Sequence, residues 1–178
     1  MIRLPVLTCL FIALLGLAAC TPPTMKSDTQ PVPVTFLDGQ FSVMMPPGWS
    51  VMTDLNDDAD LQIGNDRKGG YCIVLSENML DFDELSLQTH SDITRSSLRE
   101  NLENYSESEP EYLQLGPHRA VRYKILGSID GVKIIYWHVT IETRKYFHQT
   151  LLWSLPSEFP KVKSDFDTIL ESFTAVRE

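Results

Sequence analysis

Phe41-Ser42-Val43-Met44-Met45-Pro46-Pro47-Gly48-Trp49 is the stretch on which the fold turns. Phe41, Val43 and Met45 are apolar with Ser42 between the first two, the two-residue period of a strand. Two prolines cannot continue a ladder and Gly48 admits a tight turn, so the strand ends at Met45 and the chain reverses before Trp49. Upstream, Val34-Thr35-Phe36 faces this strand across Asp38-Gly39, a dipeptide that tolerates the positive φ of a hairpin turn. The two segments form a predicted β-hairpin. Trp49 either plugs the edge of a core or is presented to a partner, and the large apolar area of an indole favours the core.

Outward from this hairpin the chain alternates strands with turn signals. Residues 50–53 are extended and 55–60 form an acidic loop. Residues 61–63 and 71–75 read as paired strands across the loop 64–70, whose glycines and lysine have the wrong spacing for a phosphate loop. Asp81, three residues before Glu84, looks like a capping box and opens a predicted helix to about Leu102, with Phe82, Leu85, Thr89 and Ile93 on one face. An acidic stretch, 103–111, ends that helix. Leu113 and Leu115 precede a turn at Gly116-Pro117, and 119–126 alternates as a strand. Asp130-Gly131 turns the chain into the two longest predicted strands, 132–142 and 146–155. Phe159, Val162, Phe166, Ile169, Leu170 and Phe173 then recur at helical spacing. Antiparallel hairpins with two interposed helices define an α+β domain.

The run from Phe41 to Trp49 resembles the strand-Pro-Pro-Gly-Trp opening of the PsbP/Mog-like fold, and Ile169-Leu170-Glu171-Ser172-Phe173 resembles its close. Among bacterial envelope proteins the likeness is to DcrB-like lipoproteins. The resemblance implies one domain over 34–178, an α/β/α sandwich with a central antiparallel sheet flanked by helices. Members of that fold include a photosystem II subunit, a Ran-binding protein and type VI secretion chaperones. Their common theme is binding other proteins, and they share no catalytic set to transfer.

The amino terminus carries a second resemblance. Residues 1–19 have a cationic start at Arg3, an apolar run and no acid, the form of a secretory signal. Leu17-Ala18-Ala19-Cys20 is similar to the lipobox of bacterial lipoproteins, which implies cleavage before Cys20 and a diacylglycerol on its thiol. Each buried CH₂ stabilises such an anchor by about 0.8 kcal/mol, so two or three acyl chains hold firmly. Thr21 rather than Asp after the cysteine favours the outer membrane, facing the periplasm, over the inner membrane by the family's sorting pattern. Residues 20–33 are polar and proline-rich and read as a tether.

The chain has 178 residues and a formal charge of −9. Cleavage at Cys20 would remove Arg3 and no acid, taking the charge to −10. Such a domain lacks the basic footprint of a nucleic-acid binder. Cys72, flanked by Tyr71 and Ile73, reads as a small buried hydrophobe rather than a nucleophile, and no catalytic motif appears. The expectation is a non-catalytic envelope module, without a cofactor, that meets a protein partner through Trp49, Tyr136 or Tyr146.

A small-ligand or metal-binding protein is the alternative. If Thr140 pairs with His148, then His138 and His148 lie diagonally on one face and His118 joins them in some registers. A half-wet sheet face explains the same residues. The aspartates of 54–60 lack the alternating ligands and distal Glu of a calcium loop, and read as a solvated loop.

Overall fold

The computed structural model describes residues 29–177. The lipobox, Cys20 and the signal lie outside them, as does the tether up to residue 28. The hairpin forms between β1 (Val32–Phe36) and β2 (Phe41–Met45), with Val34 opposite Val43 and Phe36 opposite Phe41. Leu37, Asp38 and Gly39 all take positive φ in its turn, a conformation that only the last adopts without strain. At Gly48, φ is +77°, and Trp49 N–H donates to the Pro46 carbonyl at 3.2 Å, so the Pro-Pro-Gly-Trp turn closes as its residues dictate.

The strands β3 (Ser50–Val51), β4 (Leu61–Asn65), β5 (Gly70–Asn78), β6 (Glu103–Glu107), β7 (Glu111–Leu115), β8 (His118–Ile129), β9 (Val132–Glu142) and β10 (Tyr146–Ser154) build the large sheet. Its order is β3-β4-β5-β10-β9-β8-β6, with β7 beside β6 on β8, and every pairing is antiparallel. Helix α1 (Leu87–Asn101) crosses one face, and α2 (Phe159–Glu171) lies on the other. A final strand, β11 (Thr174–Ala175), pairs with β2, so β1, β2 and β11 make a small sheet over the α2 face.

The faces differ in chemistry. The α2 face holds the main core, with Phe36, Phe41, Ile63, Trp137, Ile141, Leu152, Phe166 and Ile169 among its buried members. The α1 face holds a small cluster of Leu102, Val121, Tyr123, Ile125 and Tyr136. The domain is therefore sheet-dominated rather than a clear helix-flanked sandwich. One face is covered by a helix together with a second small sheet, the other by one helix of 15 residues. Among the described residues no helix is long and apolar enough to cross a membrane.

Two elements depart from the sequence reading. The predicted helix from Asp81 begins only at Leu87: Asp81 closes a one-turn 3₁₀ segment, and Glu84 has φ +49°, which no helix contains. Ser86 is the true cap, its Oγ accepting from Thr89 N–H at 3.1 Å. Ser86→Ala is expected to cost about 1 kcal/mol in urea unfolding, whereas Asp81→Ala should leave the midpoint almost unmoved. The acidic stretch after the helix becomes two edge strands, because its glutamates face solvent or arginines: Glu107 pairs with Arg95 and Arg99, and Glu111 with Arg122.

Candidate functional site

The sheet register decides where the histidines go. Thr140 pairs with Gln149, and His148 pairs with Ile141. This is one residue away from the register that would set His138 and His148 together, and a one-residue shift turns a side chain to the opposite face. His138 thus points under α1 while His148 points into the main core, and the metal arrangement of His118, His138 and His148 is not assembled. His118 lies on the His148 face, and the two share contact with the Phe173 ring, at 5.6 and 5.2 Å. Among the described residues no three His, Cys, Asp or Glu side chains gather as metal ligands.

His148 sits in an aromatic cage, 4.3 Å from Phe41 and 6.0 Å from Phe36 between ring centres, with Nδ1 2.9 Å from Ser76 Oγ. Burial, reinforced by His118 and His90, holds its pKa down to about 3. Cys72 is fully buried, and burial pushes its thiol pKa far up, so it stays protonated.

The residues nominated for a partner are packed inward. Trp49 is buried, and its Nε1–H donates to Asp165 Oδ2 at 2.8 Å. Tyr136 is buried in the α1-side cluster, 6.1 Å from Trp153. Tyr146 is half-buried, edge-on to Phe41 at 5.9 Å.

What sequence reasoning missed lies beneath α1. The helix turns Leu87, His90, Ser91, Thr94, Arg95 and Leu98 toward the sheet and leaves Ile93 54 % exposed, so its buried face is mostly polar. Thr94 Oγ1 lies 3.0 Å from His138 Nε2, and the Gln149 amide lies 3.3 Å from the same atom. His90 Nε2 meets Glu77 Oε2 at 2.6 Å while its ring stacks on Phe147 at 4.5 Å.

Arg95 is enclosed. It binds Glu107 at 2.5 Å, bonds Asp92, and lays its guanidinium 3.5 Å above the centre of the Tyr123 ring. Burial opposes the Glu107 charge, but hydrogen bonds from Tyr105 and Arg95 prevail and hold its carboxyl below the usual range. Burial, then Arg95 and His90, hold the His138 pKa down to about 3. Polar residues at helical spacing on α1, matched by His138 and Thr140 two residues apart on β9, were the available signal.

Beside this polar seam runs an open groove of about 650 Å³. Its floor is Leu75, Gln149 and Leu151, one wall is α1 with Ile93 and Leu98, and the other is the loop bearing Asp58 and Asp60. Glu77 stands at its end. The loop is held rather than loose. Gln62 Oε1 accepts from Leu55 N–H at 2.8 Å and Asn56 N–H at 3.1 Å, and Asp60 Oδ2 accepts from Ser76 N–H at 2.7 Å.

No protein-family model matches this chain, and no curated protein does. Solved structures do. LpqN, involved in cell envelope biogenesis of Mycobacterium tuberculosis, superposes with a TM-score of 0.62 at 15% identity, over 82% of this chain and 90% of that one. The cyanobacterial PsbP of Synechocystis sp. PCC 6803 gives 0.59 at 13% identity, over 89% and 98%. The Ran-binding protein Mog1p of Saccharomyces cerevisiae gives 0.58 at 14% identity, over 84% and 97%. At these identities the likeness establishes the fold: the domain has the PsbP/Mog1-like architecture.

Proposed function

We propose that this protein is a lipid-anchored lipoprotein of the bacterial cell envelope, held by Cys20 at the outer membrane on its periplasmic side. It serves as a non-catalytic interaction or assembly module. The observation that supports this best is the coverage of the structural likeness. Nearly the whole described domain superposes on an envelope-biogenesis protein and on a Ran-binding protein. On this reading a lipobox-like start joined to such a domain holds an interaction module on a leash outside the cytoplasm. The ionisable groups agree with a binding rather than a catalytic role. Arg95, Glu107, Lys68 and Asp165 are engaged in ion pairs, and His138 and His148 are buried with their charged forms disfavoured.

Labelling cells with an alkynyl palmitate analogue tests the anchor. The wild-type chain is expected to carry the label and fractionate with membranes, and Cys20→Ala to lose both. An unlabelled wild-type chain with its leader intact in the mass spectrum would overturn the assignment.

A further inference from the structure

The groove between α1 and the loop of Asp58 and Asp60 brings apolar and acidic side chains together on one surface. Isolated surface hydrophobes need no explanation, but Ile93 is not isolated. It stands 54 % exposed at mid-helix on a groove that Leu98 also lines, above a floor of Leu75 and Leu151. Every charged side chain lining the groove is a carboxylate, namely Asp58, Asp60 and Glu77. The helix that forms the wall turned its polar residues inward, leaving its isoleucine outside. The opposing wall is braced by the Gln62 and Asp60 hydrogen bonds, so little order must be gained on binding.

We infer that this groove docks a cationic segment of a partner protein, seating an apolar side chain against Ile93, Leu98 and Leu151 while its lysines or arginines meet Asp58, Asp60 and Glu77. This rests on the interaction-module reading and specifies its surface. The charge of the lining selects a basic partner. An acidic segment would face three carboxylates with no counter-charge among the lining residues, and an anionic lipid surface would be repelled likewise. The apolar floor gives affinity, and the carboxylate rim gives approach rate and salt dependence.

The test is site-directed photo-crosslinking in intact envelopes with the full-length lipoprotein. Benzoylphenylalanine replaces Ile93 in one version and Val132, exposed at the β8–β9 hairpin, in another. The expected result is an adduct at position 93 whose captured peptide contains lysine or arginine next to an apolar residue. Its yield should fall about fivefold when Asp58→Lys is added, and also when salt is raised to ~0.5 M. Asp58 is exposed and its side chain makes no hydrogen bond that shapes the loop, so the reversal leaves the fold intact, which a urea melt verifies.

No adduct at 93, an adduct to lipid, a captured peptide without basic residues, or a yield indifferent to Asp58→Lys would each overturn the assignment of the groove. Protein adducts at position 132 alone would overturn the groove while leaving the interaction module standing. The absence of protein adducts at both positions, and with a general lysine crosslinker, would count against the module itself.

Discussion

Urea unfolding is expected to show the protein losing stability steeply as pH falls from about 6.5 to 4.5, before most carboxylates titrate. The cause is a pair of histidines on opposite faces of the same sheet. His138 and His148 are both fully enclosed, and burial is the first reason that their folded pKa values fall from 6.5 to about 3. Around His138 the ionisable groups are Arg95 and His90 on α1, which oppose its protonation, and Glu107 on β6, which assists it too weakly. Above pH 6.5 both rings are neutral whether the chain is folded or not, and they contribute no pH dependence. Below it the unfolded chain binds protons that the folded chain refuses, so stability drops until the folded pKa is reached.

Each histidine contributes a slope approaching 1.4 kcal/mol per pH unit, or roughly 2–3 kcal/mol at pH 4.5. Two together approach about 5 kcal/mol, a large share of the ~5–15 kcal/mol that holds an ordinary domain together. Glu107, whose carboxyl is held below its usual value, adds its own loss only lower down, as pH falls through that depressed range. The histidine share is isolated by His148→Phe, which suits the cage of Phe36, Phe41 and Phe173, and by His138→Gln. Each variant should halve the slope between pH 6.5 and 4.5, whatever it does to stability at pH 7.5. A wild-type midpoint that stays level across that window, or variants with the parental slope, would contradict the assignment.

These same histidines mark where the sequence ceased to be legible. The two-residue period told which residues of β9 and β10 share a face within one strand, and both strands lie where the alternation put them. It did not tell how one strand is set against the other. The turn at Thr143 fixes that, through Thr143 N–H to the Tyr146 carbonyl, and the resulting register parts His138 from His148.

The helix before β6 was misplaced for a related reason. Apolar spacing at Phe82, Leu85 and Ile93 located a face, but the sheet beneath α1 is itself polar at His138, Thr140 and Gln149, and it rewards polar helix residues instead. Where both layers are apolar, as between α2 and the sheet, Val162, Phe166, Ile169 and Leu170 are all buried as their spacing required. The PsbP/Mog1-like architecture was readable from the hairpin and its Pro-Pro-Gly-Trp turn. The groove was not, because its walls come from segments some forty residues apart that only the assembled sheet makes neighbours.

Trp49→Ala is expected to lower stability by about 3–5 kcal/mol, the usual loss for an aromatic removed from a core. At this domain size that corresponds to roughly 10–15 °C in Tm. The sequence allowed two roles for this tryptophan, and they make opposite forecasts. A side chain presented to a partner can be cut back with little effect on the isolated protein. Trp49 instead packs 6.1 Å from Phe166 across the α2 interface, and Gly70 approaches so closely that a Cβ there would stand 3.2 Å from the indole. Its N–H is part of the same construction, since Asp165 Oδ2 accepts from Trp49 at 2.8 Å and from Lys68 Nζ at 2.7 Å.

Asp165 is nearly buried, so its charge is tolerated because both donors reach it. Trp49→Phe keeps most of the apolar area and removes one donor, and should cost about 1–2 kcal/mol. Asp165→Ala leaves a buried indole N–H without its acceptor, at about 1–3 kcal/mol, while Lys68 is exposed enough to turn to water. The double variant Trp49→Phe with Asp165→Ala should cost less than the two losses added, because the second change finds the bond already gone. Strict additivity in that cycle, or a Trp49→Ala protein that melts with the wild type, would return Trp49 to the surface and reopen it as a contact for a partner.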